Sequence, residues 1–134
     1  MTGVLLQKNI SLINEDIIMR AKYFLENAGE FFPFAATIDS KNELSSAHVY
    51  FGEERPSSQR VIDELYKALG KGLNSGEYMI AGIGLDIYLT DPEGKKSSAI
   101  EIRILNSIGV FTRFRISYVL DENQKFHGGD LVSV

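Results

Sequence analysis

Three consecutive runs in the second half of the chain alternate apolar and polar residues, as strands with one buried face do. Within each run the apolar positions share one parity, so each run has one apolar and one polar face. The three apolar sets are Ile83, Leu85, Ile87 and Leu89, then Ile100, Ile102 and Ile104, then Phe114, Ile116 and Tyr118. The pattern predicts an antiparallel sheet that is covered on one face.

Turn signals separate these runs and predict their register. Segment 91–94 reads Asp-Pro-Glu-Gly, with each residue at the position that a tight turn favours. Segment 107–109 fits a three-residue hairpin loop with Gly109 in the left-handed conformation. Keeping both apolar faces on the same side then pairs Ile102 with Phe114.

Two amphipathic helices are predicted in the first half of the chain. Asn14 is a plausible N-cap for the first, and Gly29 is its natural end. Ser57 or Ser58 caps the second, which ends among glycines up to Gly76. Strands are predicted over 31–39 and 44–51, and a possible last strand over 126–134.

The elements follow the order α-β-β-α-β-β-β, with a further β if the last strand forms. We predict one α+β domain over residues 1–134, a mainly antiparallel sheet of five or six strands with both helices on one face. The core is predicted to contain Ile17, Phe24, Leu25, Ile38, Leu65, Leu69, Leu85, Ile87, Ile102, Phe114 and Ile116.

Composition narrows the possible functions. The chain has no cysteine, which removes disulfides, thiolate catalysis and cysteine metal sites. Its net charge of −4 argues against nucleic acid, whose binders usually carry a basic excess. No apolar run approaches the length of a membrane span, and no secretory signal is visible, so we expect a cytoplasmic protein. No metal-ligand spacing or cofactor motif is recognisable, and none is predicted.

Two glycine-containing motifs fail the context that an enzyme requires. Gly82-x-Gly84 lacks the third glycine and the following helix of a dinucleotide loop, so we interpret it as strand. Segment 127–130, His-Gly-Gly-Asp, is similar to the oxyanion loop of some esterases, but the Gly-x-Ser-x-Gly elbow is absent. No catalytic residue is predicted.

One polar group near the middle of the chain has two interpretations. His48 lies in the second predicted strand, and Glu53 and Arg55 lie in the loop after it. A histidine oriented by a carboxylate could act as a general base in a ligand pocket. The other interpretation is a surface histidine on the outer face of a hairpin, which we favour because no serine, threonine or lysine stands at a motif-like spacing from His48.

Three arginines share the polar face of the last predicted hairpin. The register places Arg103 opposite Arg113 and Glu101 opposite Arg115. Directly opposed arginines repel, so Asp86, Glu101 or an external anion should compensate them. The group is either a solvated charge network, which we favour, or a site for a carboxylate or phosphate.

Segment 29–36, Gly-Glu-Phe-Phe-Pro-Phe-Ala-Ala, follows the first helix. Together with a strand ending near Asp86 and an Ala-Ile-x-Ile strand at 99–102, it resembles the signature of a family of small uncharacterised bacterial α+β proteins. The resemblance covers most of the chain. It implies no activity, so no catalytic role carries over.

These observations favour a non-enzymatic protein-interaction or immunity-like module of the bacterial cytoplasm. Self-association as a two-fold homodimer is expected, because short strands leave unpaired sheet edges and Pro33 can protect only one of them. The alternative is a small-ligand-binding protein or enzyme with a pocket near His48, Glu53 and Arg55. A concave pocket with convergent polar groups would favour that alternative.

Overall fold

The computed structural model describes residues 2–47 and 57–134. It confirms the α+β class, the element order and the possible last strand, which completes an antiparallel sheet of six. The elements are α1 (Gly3–Ala28), β1 (Phe34–Asp39), β2 (Leu44–Ala47), α2 (Ser58–Ser75), β3 (Tyr78–Thr90), β4 (Lys96–Asn106), β5 (Gly109–Leu120) and β6 (Phe126–Ser133).

The strands lie in the order β2-β1-β3-β4-β5-β6, and every neighbouring pair is antiparallel. The predicted pairing of Ile102 with Phe114 is confirmed. Pro33 is expected at a sheet edge or at the start of its strand, and the second is confirmed, because β1 begins directly after it. The proline does not protect an edge, because β1 lies between β2 and β3. Among the described strands, β2 and β6 are the two ends of the order.

The two helices lie on opposite sides of the sheet, so the prediction that both cover one face is wrong. Helix α1 packs through Ile13 and Ile17 in a cluster that contains Ala36 of β1. Helix α2 packs through Leu65 in a separate cluster that contains Ala35 of the same strand. Since consecutive residues of a strand point to opposite faces, the helices must cover different faces.

Glycines in β3 explain this arrangement. Gly82 and Gly84 lie beneath α1, where a Cβ atom on Gly84 would come within 2.6 Å of Ile17 Cγ2. The absence of side chains lets the helix approach the strand backbone. The large residues that alternate with them, Ile83 and Leu85, point to the α2 side instead. Residues 80–85 of β3 are therefore buried on both faces.

Helix α1 is longer than the sequence predicts. Thr2 is its N-cap, accepting from the Leu5 N–H at 3.2 Å, and Asn14 lies buried within the helix. The apolar stripe begins before Asn14, since Leu6 also packs against the α1 cluster. The predicted end is confirmed, because Gly29 closes the helix with φ 78°. No helix in the two described ranges is long and apolar enough to cross a bilayer.

The predicted second helix cap and the first turn are confirmed. Ser57 accepts from the Arg60 N–H at 3.2 Å and so caps α2. Asp91 Oδ1 accepts from the backbone N–H of Lys95 at 2.8 Å. The loop before β5 is one residue shorter than predicted, because Asn106 pairs with Gly109 and a bulge after Ile104 absorbs the difference.

Most of the predicted core residues are buried. Three of them are only partly buried at the margins of the two clusters. Phe24 and Phe114 lie at the margin of the α1 cluster, and Ile87 lies at the margin of the α2 cluster.

Replacing Gly84 by alanine should destabilise the protein by about 1–3 kcal/mol, the usual cost of overpacking. Ile17 Cγ2 is attached directly to its Cβ, so it moves aside only if α1 shifts or if Ile17 leaves the χ1 rotamer that a helix strongly favours. Gly70→Ala is the matched control, because no atom lies within 4 Å of its would-be Cβ and alanine favours a helix by about 1 kcal/mol. Urea unfolding measures both; a Gly84→Ala protein as stable as the wild type would contradict the close approach of α1.

Candidate functional site

The first candidate region is the arginine face, which comprises Arg103, Arg113 and Arg115 around Glu101 on the α2 side of the sheet. Arg103 Nε donates to Glu101 Oε2 at 2.8 Å, and Arg115 Nε donates to Glu101 Oε1 at 2.9 Å. The predicted pairs across β4 and β5 are confirmed: Arg103 lies opposite Arg113, and Glu101 lies opposite Arg115. The structure therefore brings together all three arginines that the sequence singles out.

Glu101 is only 2% exposed. The two bonded arginines cover it, and their own side chains remain 25% and 32% exposed. Arg103 Nη1 also donates to Tyr66 Oη at 3.3 Å, which ties the arginine face to α2. Burial alone would raise the pKa of Glu101, but the hydrogen bonds and charges of Arg103 and Arg115 hold that pKa below its usual 4.5.

The arginine face has an excess of positive charge. Arg103 and Arg115 share the single carboxylate of Glu101. Arg113 lies opposite Arg103, and its guanidinium has no hydrogen bond or ion pair with any other described residue. Guanidinium groups bind carboxylates and phosphates in a bidentate manner. The arrangement is therefore suited to an anionic partner.

Asp86 does not compensate these arginines, which corrects one of the sequence expectations. It pairs with Ile100, so its side chain lies on the α1 side, opposite the arginine face. The cause is the glycine pattern of β3, which turns the apolar residues of this strand toward α2. Tyr88 shares the parity of Asp86 and lies on the same side.

The second candidate region is a cavity of about 680 Å³ at the end of the sheet where α1 stops. We call it the Asp86 cleft. It lies between segment 29–32 and the adjoining ends of β3, β4 and β5. Tyr88, Ser98 and Tyr118 face one another across these three strands, in register. The antiparallel order thus brings hydroxyl groups from distant parts of the chain into one row.

Asp86 is the central polar group of this cleft. Tyr118 Oη donates to Asp86 Oδ1 at 2.6 Å, and the backbone N–H of Phe31 also hydrogen-bonds the carboxylate. Burial raises the pKa of Asp86, and the negative charge of Glu30 raises it further. The two hydrogen bonds lower this pKa, but burial outweighs them. Burial and the neighbouring Asp86 also raise the pKa of the Tyr118 phenol, so Tyr118 remains a proton donor.

The remaining sequence candidates do not join either region. His48, Glu53 and Arg55 lie outside the described residues, so the pocket proposed near them stays a prediction. His127 is exposed, with Nε2 2.8 Å from Asp121 Oδ2. Within residues 2–47 and 57–134, no group of three or more histidine, aspartate or glutamate residues could hold a metal ion.

Sequence reasoning missed the Asp86 cleft as a site. Asp86 and Tyr118 are 32 positions apart and belong to no known motif. The available signal is weak: polar and aromatic residues concentrate where three predicted strands begin or end. Only the pairing of β3 with β4 and of β4 with β5 brings these residues together.

The chain matches no family model, and neither a curated protein nor a solved structure is significantly similar to it. The resemblance carried by segment 29–36 therefore stays a prediction. In the structure this segment ends α1 at Gly29 and begins β1, with Phe31 and Phe34 buried and their rings 5.5 Å apart. The functional argument rests on the two candidate regions.

Glu101→Gln should lower the free energy of unfolding at neutral pH by about 1–3 kcal/mol, because two arginines lose their shared carboxylate. The pKa of Glu101 is lowered in the folded protein, so its stabilisation is present above pH 4.5 and is lost as pH falls through the folded-state value. The difference from the wild type should therefore shrink in acid. Chemical denaturation over a pH series measures it, with the exposed Glu122→Gln as control.

Asp86→Asn should be at least as stable as the wild type at neutral pH. The amide oxygen can still accept from Tyr118 and Phe31, and the variant carries no half-buried charge. Because the pKa of Asp86 is raised in the folded protein, its protonation stabilises the fold below pH 3.8, and that stabilisation is lost as pH rises through the folded-state pKa. The advantage of the variant should therefore vanish in acid.

The same pH series with Asp130→Asn, an exposed aspartate of β6, provides the control for this second variant. A loss of stability in Asp86→Asn at neutral pH would mean that the ionised carboxylate stabilises the fold, contrary to our expectation.

Proposed function

We propose that this chain is a non-enzymatic protein-interaction module, of the kind that immunity proteins represent, and that it binds an acidic protein partner through the arginine face. The observation that carries the proposal is an excess of positive charge: Arg103 and Arg115 bind the one buried carboxylate, Glu101, and Arg113 lies opposite Arg103 without a carboxylate partner among the described residues. The chain as a whole carries a net charge of −4, so this patch is a local exception that would orient an acidic partner.

Exposed valines beside the arginines support an interface with protein. Val132 pairs with Arg115 and is 53% exposed, while Val134, whose N–H donates to the Arg113 carbonyl at 3.0 Å, is 60% exposed. Arginine and apolar contact area together are typical of protein interfaces. The lack of cysteine is compatible with a reducing compartment, and we place this function in the bacterial cytoplasm.

We also propose that the chain forms a two-fold homodimer through β6. This strand is exposed over nearly its whole length and contains neither lysine nor proline. Because the Val134 N–H points to β5, alternation turns the backbone groups of Leu131 and Ser133 outward. At the other end, Glu26 Oε2 accepts from the outward N–H of Phe126 at 2.9 Å, so only that end is protected.

Antiparallel pairing of β6 with the same strand of a second copy would satisfy these outward groups. A two-fold axis perpendicular to the sheet keeps equivalent faces on the same side. The arginine faces of both copies would then face one partner together. Self-association and acidic-partner binding are therefore compatible in one assembly.

Arg113→Gln should weaken binding of a fluorescent peptide made only of glutamate by about tenfold, since a hydrogen bond to a charged group contributes about 1.5–3 kcal/mol. Binding to the wild type should also weaken as salt rises. Lys67→Gln on the exposed side of α2 removes the same charge and should bind as the wild type does. Equal binding by Arg113→Gln, or equal binding of a serine-only peptide, would refute the proposed partner chemistry.

Ser133→Pro should convert the dimer to a monomer in sedimentation experiments, because proline removes an outward N–H while the inward donor of Val134 remains. Ser133→Ala keeps the N–H and should remain a dimer. A wild-type protein that sediments as a monomer at high concentration would contradict self-association. So would a Ser133→Pro protein that is still a dimer, since the contact would then lie elsewhere.

A further inference from the structure

The Asp86 cleft has the dimensions of a small-molecule site. Its volume of about 680 Å³ lies within the range of roughly 300–1,000 Å³ that ligand pockets occupy. None of the four residues of the arginine face lines it. Any ligand of this cleft is therefore independent of the proposed protein partner.

One end of the cleft lacks a positive charge. Asp86 is partly buried, and its hydrogen-bond donors, the Tyr118 hydroxyl and the Phe31 N–H, are both neutral. Glu30 adds a second negative charge nearby, and Asp86 forms no ion pair with any described residue. A carboxylate that is withdrawn from water is stabilised by a counter-charge. A bound ammonium group would supply it.

The other end of the cleft carries the opposite charge. Lys95 and Lys96 line it, both are exposed, and neither forms an ion pair within the described part of the chain. Lys96 pairs with Thr90, four residues beyond Asp86 on β3, so its side chain lies on the same side of the sheet. At about 3.3 Å per residue, the two backbone positions are roughly 13 Å apart.

Aromatic rings occupy the space between the two charged ends. Tyr88 lies two residues beyond Asp86 on β3, in the direction of Lys96. Ser98 of β4 and Tyr118 of β5 lie beside Tyr88 in register, so the two tyrosines flank Ser98. Tyr88 is 76% exposed, whereas Tyr118 is held by stacking on Phe126 with 5.6 Å between ring centroids. Aromatic faces attract ammonium groups and also pack against apolar groups.

The four charges of the lining cancel, which restricts the kind of ligand. A purely cationic ligand would be repelled by Lys95 and Lys96, and a purely anionic ligand would be repelled by Asp86 and Glu30. A molecule with both charges satisfies both ends. A lysine side chain spans about half of the roughly 13 Å between the backbone positions of Asp86 and Lys96. The two charges of the ligand should therefore lie roughly 7 Å apart, which is about the length of two extended residues.

We propose that the Asp86 cleft binds a zwitterionic ligand of dipeptide size, with its ammonium group at Asp86 and its carboxylate at Lys95 and Lys96. Tyr88 and Tyr118 contact the body of the ligand between these two ends. The site is a binding site, and no bond is made or broken in it.

The test uses three forms of one dipeptide, alanyl-phenylalanine: the free zwitterion, the N-acetyl form and the C-terminal amide. Each is titrated into the full chain and followed by amide NMR. We expect the zwitterion to shift the signals of Asp86, Ser98 and Tyr118. Each blocked form should bind about tenfold more weakly, since it loses one charge-assisted contact.

Two variants assign the ends of the ligand. Asp86→Asn should weaken the zwitterion about tenfold but leave the affinity of the N-acetyl form unchanged, because that form has no ammonium group to lose. The double variant Lys95→Met with Lys96→Met should show the converse pattern with the amide. Asp130→Asn and the double variant Lys67→Met with Lys71→Met are the charge-matched controls, and both should bind all three forms as the wild type does.

Failure of the zwitterion to shift these signals at millimolar concentration would overturn the proposal. Blocked forms that bind as tightly as the zwitterion, or an Asp86→Asn protein with wild-type affinity, would also overturn it. Arg113→Gln should bind the zwitterion normally, so this result does not depend on the outcome for the arginine face.

Discussion

The close approach of α1 to the backbone of β3 is the constraint on which the rest of the structure depends. Gly82 and Gly84 provide it, since side chains at these positions would collide with Ile13 and Ile17. The helix then covers β3 without large residues from that strand. The apolar residues that alternate with the glycines, Ala81, Ile83 and Leu85, form a second cluster with α2. One strand therefore supports two helices on opposite faces.

Both candidate regions occupy parts of the sheet that the helices leave uncovered. Helix α2 packs mainly against β3 and contacts the arginine face on β4 and β5 through Tyr66. Helix α1 ends at Gly29, and the sheet continues past that point to form the floor of the Asp86 cleft. Helix length and position thus decide which polar side chains can meet a partner or ligand.

The two central carboxylates show how neighbouring charges determine the chemistry of each region. Glu101 is the more deeply buried in the structure, yet two arginines lower its pKa. Asp86 has only neutral donors and a nearby negative charge, and its pKa is raised. The charge of Glu101 is balanced by its ion pairs, and Glu101 holds Arg103 and Arg115 in place. Asp86 lacks a counter-charge, which is why we assign a ligand ammonium group to it.

The hairpin of β4 and β5 could be predicted from the sequence because its information is local. Alternation sets the register, because a slip by one residue would turn one apolar face to water, and the bulge after Ile104 absorbs the shorter turn. The opposition of Arg103 to Arg113 and of Glu101 to Arg115 could therefore be predicted. Gly29 as a helix end was predictable for the same reason, since a left-handed cap favours glycine.

The tertiary structure alone decided which face of each strand lies on the α1 side of the sheet and which lies on the α2 side. Alternation defines two faces within a strand, but it does not say which face of β3 continues the apolar face of β4. Contact between Gly84 and α1 decides this, and a glycine contributes no hydropathy signal. For that reason Asp86 could not be placed beside Tyr118, or away from the arginines, from sequence. The charge pattern of each region follows from the sequence, whereas the grouping of those charges follows from long-range packing.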